Sequence, residues 1–126
     1  MKIAIIEDDL IIQMYLERVA MNANFEVVGT AENFEQAIQL IEIKKPELVL
    51  LDIGLRGTID GIETAKVISD RFSIPHVFMS GNSDTLTHQS AIDTDPLGFI
   101  KKPIDEASLK NKLIEFRKVV HSFKVV

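Results

Sequence analysis

The stretch LLDIGLRGTIDG, residues 50–61, carries an apolar run into an acid and then into a short loop. The run ELVLL (47–51) is nearly continuous in apolarity, and Asp52 follows it directly. A strand that is apolar at almost every position is typical of a parallel sheet covered on both faces. The stretch therefore predicts a central strand that brings a carboxylate to one edge of such a sheet.

Four further apolar runs indicate strands on either side of this one. They are short, rich in β-branched and aromatic residues, and evenly spaced along the chain. In order they are KIAII (2–6), FEVVGT (25–30), HVFMS (76–80) and GFIK (98–101).

Helical patterns lie between the predicted strands. The first covers residues 10–23 and has an apolar stripe of Leu10, Met14, Leu16, Val19, Ala20 and Ala23. Three more helices begin at residues that cap helices well, and the first two of these also have the spacing of a capping box. The cap residues are Asn33, Asp60 and Asp105. Region 82–96 is so polar that a fourth helix there is expected to be weakly anchored.

The alternation of strand and helix, five times over, predicts a doubly wound α/β fold. It has five parallel strands with helices on both faces, and 126 residues suit a single domain, 1–126. In such sheets the functional groups gather at the carboxyl ends of the strands.

Composition excludes several classes of protein. The net charge of −5 argues against direct binding of nucleic acid, which needs a basic surface. The absence of cysteine excludes disulfides and thiolate metal sites. No apolar run approaches the ~20 residues of a membrane span, and the acids in MKIAIIEDD come too early for a signal peptide. We therefore expect a cytoplasmic protein with no membrane partner.

Acids follow two strands that would be neighbours if the first strand lies beside the third. Glu7 and Asp8 come after the first strand, and Asp52 comes after the third. Carboxylates about 4 Å apart repel by on the order of 4 kcal/mol at an effective dielectric constant near 20. A cation is needed to neutralise them, and ligands that are all oxygen favour a hard ion, above all Mg²⁺. Ser80 ends the fourth strand and Lys102 follows the fifth, so both can hold phosphoryl oxygens at the same edge of the sheet.

At this point the chain resembles the receiver domain of response regulators in two-component signalling. The resemblance covers essentially the whole chain and implies a flavodoxin-like sheet with strand order 2-1-3-4-5. It is carried by five motifs that stand in the family's order: IIEDD (5–9), LVLLDIG (48–54), DGIE (60–63), IPHVFMSG (74–81) and GFIKKP (98–103).

The resemblance implies a role for each residue at the strand ends. Asp52 matches the phosphoacceptor, and Ser80 and Lys102 match the residues that hold the phosphoryl group. The family's metal ion, Mg²⁺ or Mn²⁺, would have four ligands here. Asp8 and Asp52 match the direct carboxylate ligands, and Gly54 matches the residue that supplies its backbone carbonyl. Glu7 matches the acid that acts more through water. The switch residues of the family match Ser80 and Phe99.

The resemblance also implies partners and an output. A histidine kinase or a histidine phosphotransfer protein would supply the phosphoryl group, and the surface of the fourth helix, fifth strand and fifth helix would change for an unknown output partner or effector domain. We expect the polar fourth helix to become ordered on phosphorylation. A homodimer through that surface is left open. The receiver would catalyse its own phosphorylation and dephosphorylation without being a turnover enzyme.

Three features depart from the family pattern, and one of them is the unusually polar fourth helix. Asp60 lies eight residues after Asp52, one more than is common, and RGT stands where a proline is usual. Phe99 replaces a residue that is often tyrosine.

Three alternatives remain at this stage. One is a nucleotide or flavin module, which would need a glycine loop after the first strand, where acids stand instead. Another is a receiver fold used only as an interaction module, which would lack one of the key residues. The third is a receiver that belongs to a longer response regulator or hybrid histidine kinase.

Overall fold

A computed structural model of the chain describes residues 1–81, 88–102 and 105–125. All five predicted strands are present, and the second and third begin one residue later than predicted. Asp52 is therefore the last residue of its strand. The strands are β1 (Lys2–Ile6), β2 (Glu26–Ala31), β3 (Leu48–Asp52), β4 (His76–Ser80) and β5 (Gly98–Lys101). The helices are α1 (Leu10–Asn22), α2 (Phe34–Lys44), α3 (Gly61–Phe72), α4 (His88–Ile92) and α5 (Glu106–Val125).

The strands form one parallel sheet in the order β2-β1-β3-β4-β5, which confirms the predicted strand order. β1 pairs directly with β3, and Ile6 lies opposite Leu51. The residues that follow these two positions therefore emerge side by side at the carboxyl edge of the sheet. This pairing is what brings the acids of the first and third strands together.

Alternate residues of each strand enter two separate hydrophobic layers. Ile3 and Ile5 of β1 face a layer that includes side chains of α1 and α5. Ala4 and Ile6 face the opposite layer, which includes side chains of α2 and α3. Both faces of the sheet are thus covered, which explains why the strands are apolar at nearly every position.

The prediction for the apolar stripe of α1 was partly wrong. Leu16, Val19 and Ala20 are buried as expected, whereas Leu10 is 57% exposed and Met14 is 67% exposed. A helix on one face of a sheet buries only a stripe, and here that stripe continues from Leu16 back to Gln13. The pair at positions 10 and 14 lies one turn apart on a different face of the helix.

The three predicted helix caps are present, and Asp9 is a fourth. Asp9 accepts hydrogen bonds from two backbone N–H groups of the first turn of α1. Asn33, Asp60 and Asp105 each accept one from the backbone N–H three residues on. The capping box of α2 is closed by Gln36, whose side chain accepts from the N–H of Glu32 and not from that of the cap residue.

Helix α4 is anchored by few side chains among the residues described. Ala91 is fully buried and Ile92 is 43% exposed. The predicted polar segment is described only from residue 88, so Leu86 and the rest of 82–87 lie outside the described residues. The expectation that α4 is weakly held stays a prediction.

The turns that lead from a helix back to a strand share an unusual backbone conformation. Each contains a residue other than glycine with a positive φ angle, and these lie at the amino edge of the sheet. The residues are Asn24 (67°), Lys45 (48°), Ser73 (54°) and Asp95 (59°). A side chain disfavours this region by about 1–2 kcal/mol.

Candidate functional site

Three carboxylates converge at the carboxyl edge of the sheet. Glu7 and Asp8 follow β1, Asp52 ends β3, and one carboxylate oxygen from each lies within 4.8 Å of the others. Glu7 is 1% exposed and Asp52 is also buried, whereas Asp8 is half-buried. The structure therefore brings together the three acidic side chains that the sequence predicted as a metal site.

Lys102 lies between two of these carboxylates. Its Nζ is 2.7 Å from Oε1 of Glu7 and 3.2 Å from Oδ1 of Asp52, and its side chain is 23% exposed. Its backbone N–H donates to the carbonyl of Ser80, which continues the pairing of β4 with β5. Burial alone lowers the pKa of Lys102, but the hydrogen bond that Lys102 donates to Glu7 and the charge of Asp52 hold the pKa above its usual value. The lysine is therefore a fixed positive charge inside the cluster.

The surroundings of the Glu7 carboxyl group shift its pKa upward. Burial raises the pKa of Glu7 to about 7, the charge of Asp52 acts in the same direction, and the hydrogen bond from Lys102 opposes both. The backbone N–H of Asp9 also donates to Glu7. One ammonium group does not compensate three carboxylates in a buried setting, so negative charge remains for a further cation to neutralise.

Asp8 contacts the loop that follows β3. Its Oδ2 accepts a hydrogen bond of 3.1 Å from the backbone N–H of Arg56, and the Nε of the same arginine is 3.6 Å away. The arginine belongs to the RGT segment that departs from the family pattern. This segment therefore lies against the acidic cluster.

The loop after Asp52 alternates between buried and exposed residues. Ile53 and Leu55 are buried, while Gly54 between them is exposed and donates its N–H to Oδ1 of Asp52. The N–H of Ile53 donates to the carbonyl of Met79, which holds the loop against β4. Gly54 therefore lies beside the carboxylate of Asp52, and its role as a carbonyl ligand of a metal ion stays a prediction.

Ser80 and Phe99 lie on the two strands next to this edge. Ser80 ends β4 and is opposite Lys101 of β5. Phe99 is half-buried and stacks on Phe78, with ring centroids 5.8 Å apart. Lys101 is exposed. Pro103, which ends the GFIKKP motif, lies outside the described residues.

Two contributors to the site were missed in the sequence. Gln13 is buried, and its Nε2 donates to the backbone carbonyl of Glu7, which fixes the turn between β1 and α1. Arg56 reaches Asp8 from 48 residues away. The signal for Gln13 was a lone amide within the apolar run LIIQMYL (10–16). For Arg56 the signal was a cation in a loop that follows an acid.

The donor set fits a small divalent cation. All three convergent side chains offer carboxylate oxygens, and neither histidine nor cysteine is among them. Hard ions such as Mg²⁺ and Mn²⁺ prefer this set, and they leave coordination positions for water or phosphoryl oxygen.

The chain matches the family model described as the response regulator receiver domain over residues 3–114. It is 35% identical over 116 residues to the transcriptional regulatory protein KdpE of Staphylococcus aureus. This alignment covers 90% of this chain and 49% of that protein. It is 29% identical over 108 residues to the transcriptional regulatory protein PdtaR of Mycobacterium tuberculosis. This alignment covers 86% of this chain and 52% of that protein. The chain thus spans about half the length of these two relatives.

Solved structures agree with this result. The signal receiver domain of a modulated diguanylate cyclase from Desulfovibrio desulfuricans superposes with a TM-score of 0.87 at 27% identity, covering 98% of this chain and 96% of that one. The receiver domain of NtrX from Brucella abortus gives a TM-score of 0.80 at 29% identity, covering 91% and 95%. With the family model matched over residues 3–114, the chain belongs to the receiver domains of response regulators, whose function in two-component systems is to accept a phosphoryl group.

Proposed function

We propose that Asp52 is the phosphoacceptor of this receiver. The observation that carries the proposal is the central position of its carboxylate, which is in contact with Lys102 and the N–H of Gly54 and lies within 4.8 Å of two other acids. A carboxylate oxygen of Asp52 attacks the phosphorus of a phosphohistidine, the P–N bond breaks, and the imidazole leaves with the electron pair and takes up a proton. The product is an acyl phosphate, which water later hydrolyses.

A divalent cation, Mg²⁺ or Mn²⁺, would be held by Asp8, Asp52 and the backbone carbonyl of Gly54, and Glu7 would act through water. When bound, the ion neutralises the negative charge that develops on the phosphoryl oxygens during transfer. Glu7 and Asp8 are adjacent in the turn that follows β1, and Gln13 holds that turn by a hydrogen bond to the backbone carbonyl of Glu7. The chain thus orients its ligands before an ion arrives.

Lys102 and Ser80 hold the transferred phosphoryl group. Lys102 already touches the carboxylate of Asp52, so its ammonium lies next to the new anionic group without a long movement. Ser80 ends the neighbouring strand and offers a hydroxyl donor. The ammonium of Lys102 and the hydroxyl of Ser80 would both donate hydrogen bonds to the phosphoryl oxygens. Such electrostatic stabilisation is the main contribution that proteins make to phosphoryl transfer.

The signal passes to the surface of α4, β5 and α5. Ser80 moves toward the phosphoryl group, and Phe99 changes its packing against Phe78, which shifts the population of that surface. A histidine kinase or histidine phosphotransfer protein donates the phosphoryl group, and an output partner or effector domain reads the surface. The receiver, taken as a single domain over 1–126, acts in the cytoplasm and catalyses only its own phosphorylation and dephosphorylation. Among the described residues, no helix is both long enough and apolar enough to cross a membrane.

Intact mass spectrometry after incubation with acetyl phosphate and Mg²⁺ tests the acceptor. The wild type gains the mass of one phosphoryl group, and Asp52→Asn does not. Asp60→Asn is the matched control, because this residue caps α3 and asparagine caps equally well. An adduct of equal yield in Asp52→Asn, or none in the wild type, would contradict the proposal.

A further inference from the structure

Two cations contact the acidic cluster in the part of the chain that the structure describes, and they divide the carboxylates between them. Lys102 contacts Glu7 and Asp52. Arg56 contacts Asp8. Each of the three carboxylates thus has a cationic side chain beside it before any metal ion is bound.

The two cations differ in how firmly they are held. Lys102 is 23% exposed and approaches its partners to 2.7 and 3.2 Å, so it is part of the interior. The side chain of Arg56 is 92% exposed, and its Nε is 3.6 Å from Asp8, beyond an ordinary hydrogen bond. Ion pairs exposed to this degree contribute little in water, so the guanidinium leaves Asp8 at small cost.

The backbone nevertheless keeps Arg56 at the mouth of the site. Its N–H donates to the same Oδ2 of Asp8 that the side chain approaches. The residue before it, Leu55, is buried and fixes the loop against the core. The main chain is therefore held in place, while the charged end of the side chain is free to move between Asp8 and solvent.

We propose that Arg56 is a stand-in cation that competes with the divalent ion for Asp8 and thereby lowers the affinity of the site for that ion. The inference rests on the metal site proposed above. A guanidinium beside Asp8 offsets part of the negative charge that attracts a metal ion, and two cations at one carboxylate repel each other. Binding of the ion therefore displaces the guanidinium into solvent. Arg56 is a positioning residue that acts through Asp8 and sets the ion concentration at which the site fills. The RGT segment, which departs from the family pattern, thus affects metal affinity.

Direct measurement of metal binding tests this inference without any phosphoryl transfer. The dissociation constant for Mn²⁺ is determined from the electron paramagnetic resonance signal of the free ion, at low ionic strength, for the wild type and four variants. Arg56→Gln removes the charge but keeps a polar stem, and it is expected to bind Mn²⁺ about two- to fivefold more tightly than the wild type. Arg56→Lys keeps the charge and is expected to stay near the wild type. Arg71→Gln, in the last turn of α3, is the charge-matched control and is expected to leave the constant unchanged.

A second readout follows the side chain itself. In the wild type, titration with Mg²⁺ shifts the NMR signal of the Nε–H group of Arg56 at the same ion concentration that saturates the site. The Nε–H signal of Arg71, which lies over the ring of Phe72, does not shift.

The outcomes separate this inference from the proposed site. Asp8→Asn weakens Mn²⁺ binding at least tenfold if the site is correct. If Asp8→Asn has that effect while Arg56→Gln and the wild type bind equally, the inference about Arg56 is overturned and the metal site stands. If the wild type binds no more tightly than Asp8→Asn, both are overturned.

Discussion

A methyl group on Gly61 would overlap the backbone carbonyl of Asp52. The same methyl group would lie 2.8 Å from the carbonyl oxygen of Ile53 and 2.9 Å from its Cα. Helix α3 therefore begins against the end of β3 at a distance that only glycine permits. The carboxylate proposed to accept the phosphoryl group is thus placed partly by a residue that has no side chain.

Gly61→Ala is expected to destabilise the protein by about 1–3 kcal/mol and to reduce phosphorylation by acetyl phosphate, because backbone atoms must shift beside Asp52. Urea unfolding and intact mass measure the two effects. Gly98→Ala is the matched control, since a methyl group there would meet the end of the Phe116 ring, a side chain that can move. Equal stability losses in the two variants would show that close backbone approach at Gly61 is not limiting.

Stabilisation by Mg²⁺ is expected to depend on pH through Glu7. Burial raises the pKa of Glu7 from 4.5 to about 7, so the fold favours the protonated acid. Its contribution to stability is present below pH 4.5 and is lost as the pH rises through 7, where the buried group must ionise. A cation bound at pH 8 therefore offsets more repulsion than one bound at pH 5.5, and saturating Mg²⁺ should raise the melting temperature more at pH 8. In Glu7→Gln this difference between the two pH values should shrink. An equal Mg²⁺ effect at both pH values in the wild type would contradict the prediction.

His76 is expected to titrate far below an ordinary histidine. Burial lowers the pKa of His76 to about 4, which the negative charge of Asp95 opposes. Thr94 donates its hydroxyl to the carbonyl of Ala91, so Nε2 of His76 donates to Thr94 across 2.9 Å, and the ring is neutral. NMR titration should place the midpoint near pH 4, and the unfolded protein in urea provides the control.

The same histidine should make the fold sensitive to acid. A depressed pKa contributes stability that is present above the unfolded value of 6.5 and is lost as the pH falls toward 4, on the order of 3 kcal/mol in full. His76→Gln removes the titrating group, so the stability difference between wild type and variant should change across this window. A difference that is constant from pH 7 to pH 4 would rule this out.

Lys45→Gly is expected to stabilise the protein by about 0.5–1 kcal/mol. Lys45 ends α2 with φ at 48°, a region that glycine occupies without the steric cost of a side chain. The greater flexibility of glycine in the unfolded chain offsets part of the gain. Lys45→Ala keeps the cost and removes the charge, so it should leave the denaturation midpoint nearly unchanged. A similar gain in both variants would assign the effect to charge and not to the backbone.

The sheet was predictable from the sequence because its signals are local. Continuous apolarity in runs such as 47–51 indicates strands buried on both faces, and the rules for parallel connections leave few arrangements. The convergence of Glu7, Asp8 and Asp52 then follows from strand order alone, without knowledge of any side-chain conformation.

Other features needed the folded chain. Leu10 and Met14 fit a helical period, but the period does not show which face of α1 turns toward the sheet. The contact between Arg56 and Asp8 joins an irregular loop to a strand end, and no periodic pattern encodes such a contact. The closeness of Gly61 to the backbone of Asp52 likewise depends on how two elements pack.

The positive φ angles at Asn24, Lys45, Ser73 and Asp95 lie at the end of the sheet away from the acids. The positions with unfavourable backbone conformations are thus separate from the charged residues of the candidate site. If glycine substitutions at the amino edge stabilise the protein as predicted, that gain can compensate for costly changes among the charges at the carboxyl edge without altering any residue of the proposed phosphoryl site. Substitutions that change the proposed metal and phosphoryl site can therefore be combined with stabilising substitutions at the opposite edge of the sheet.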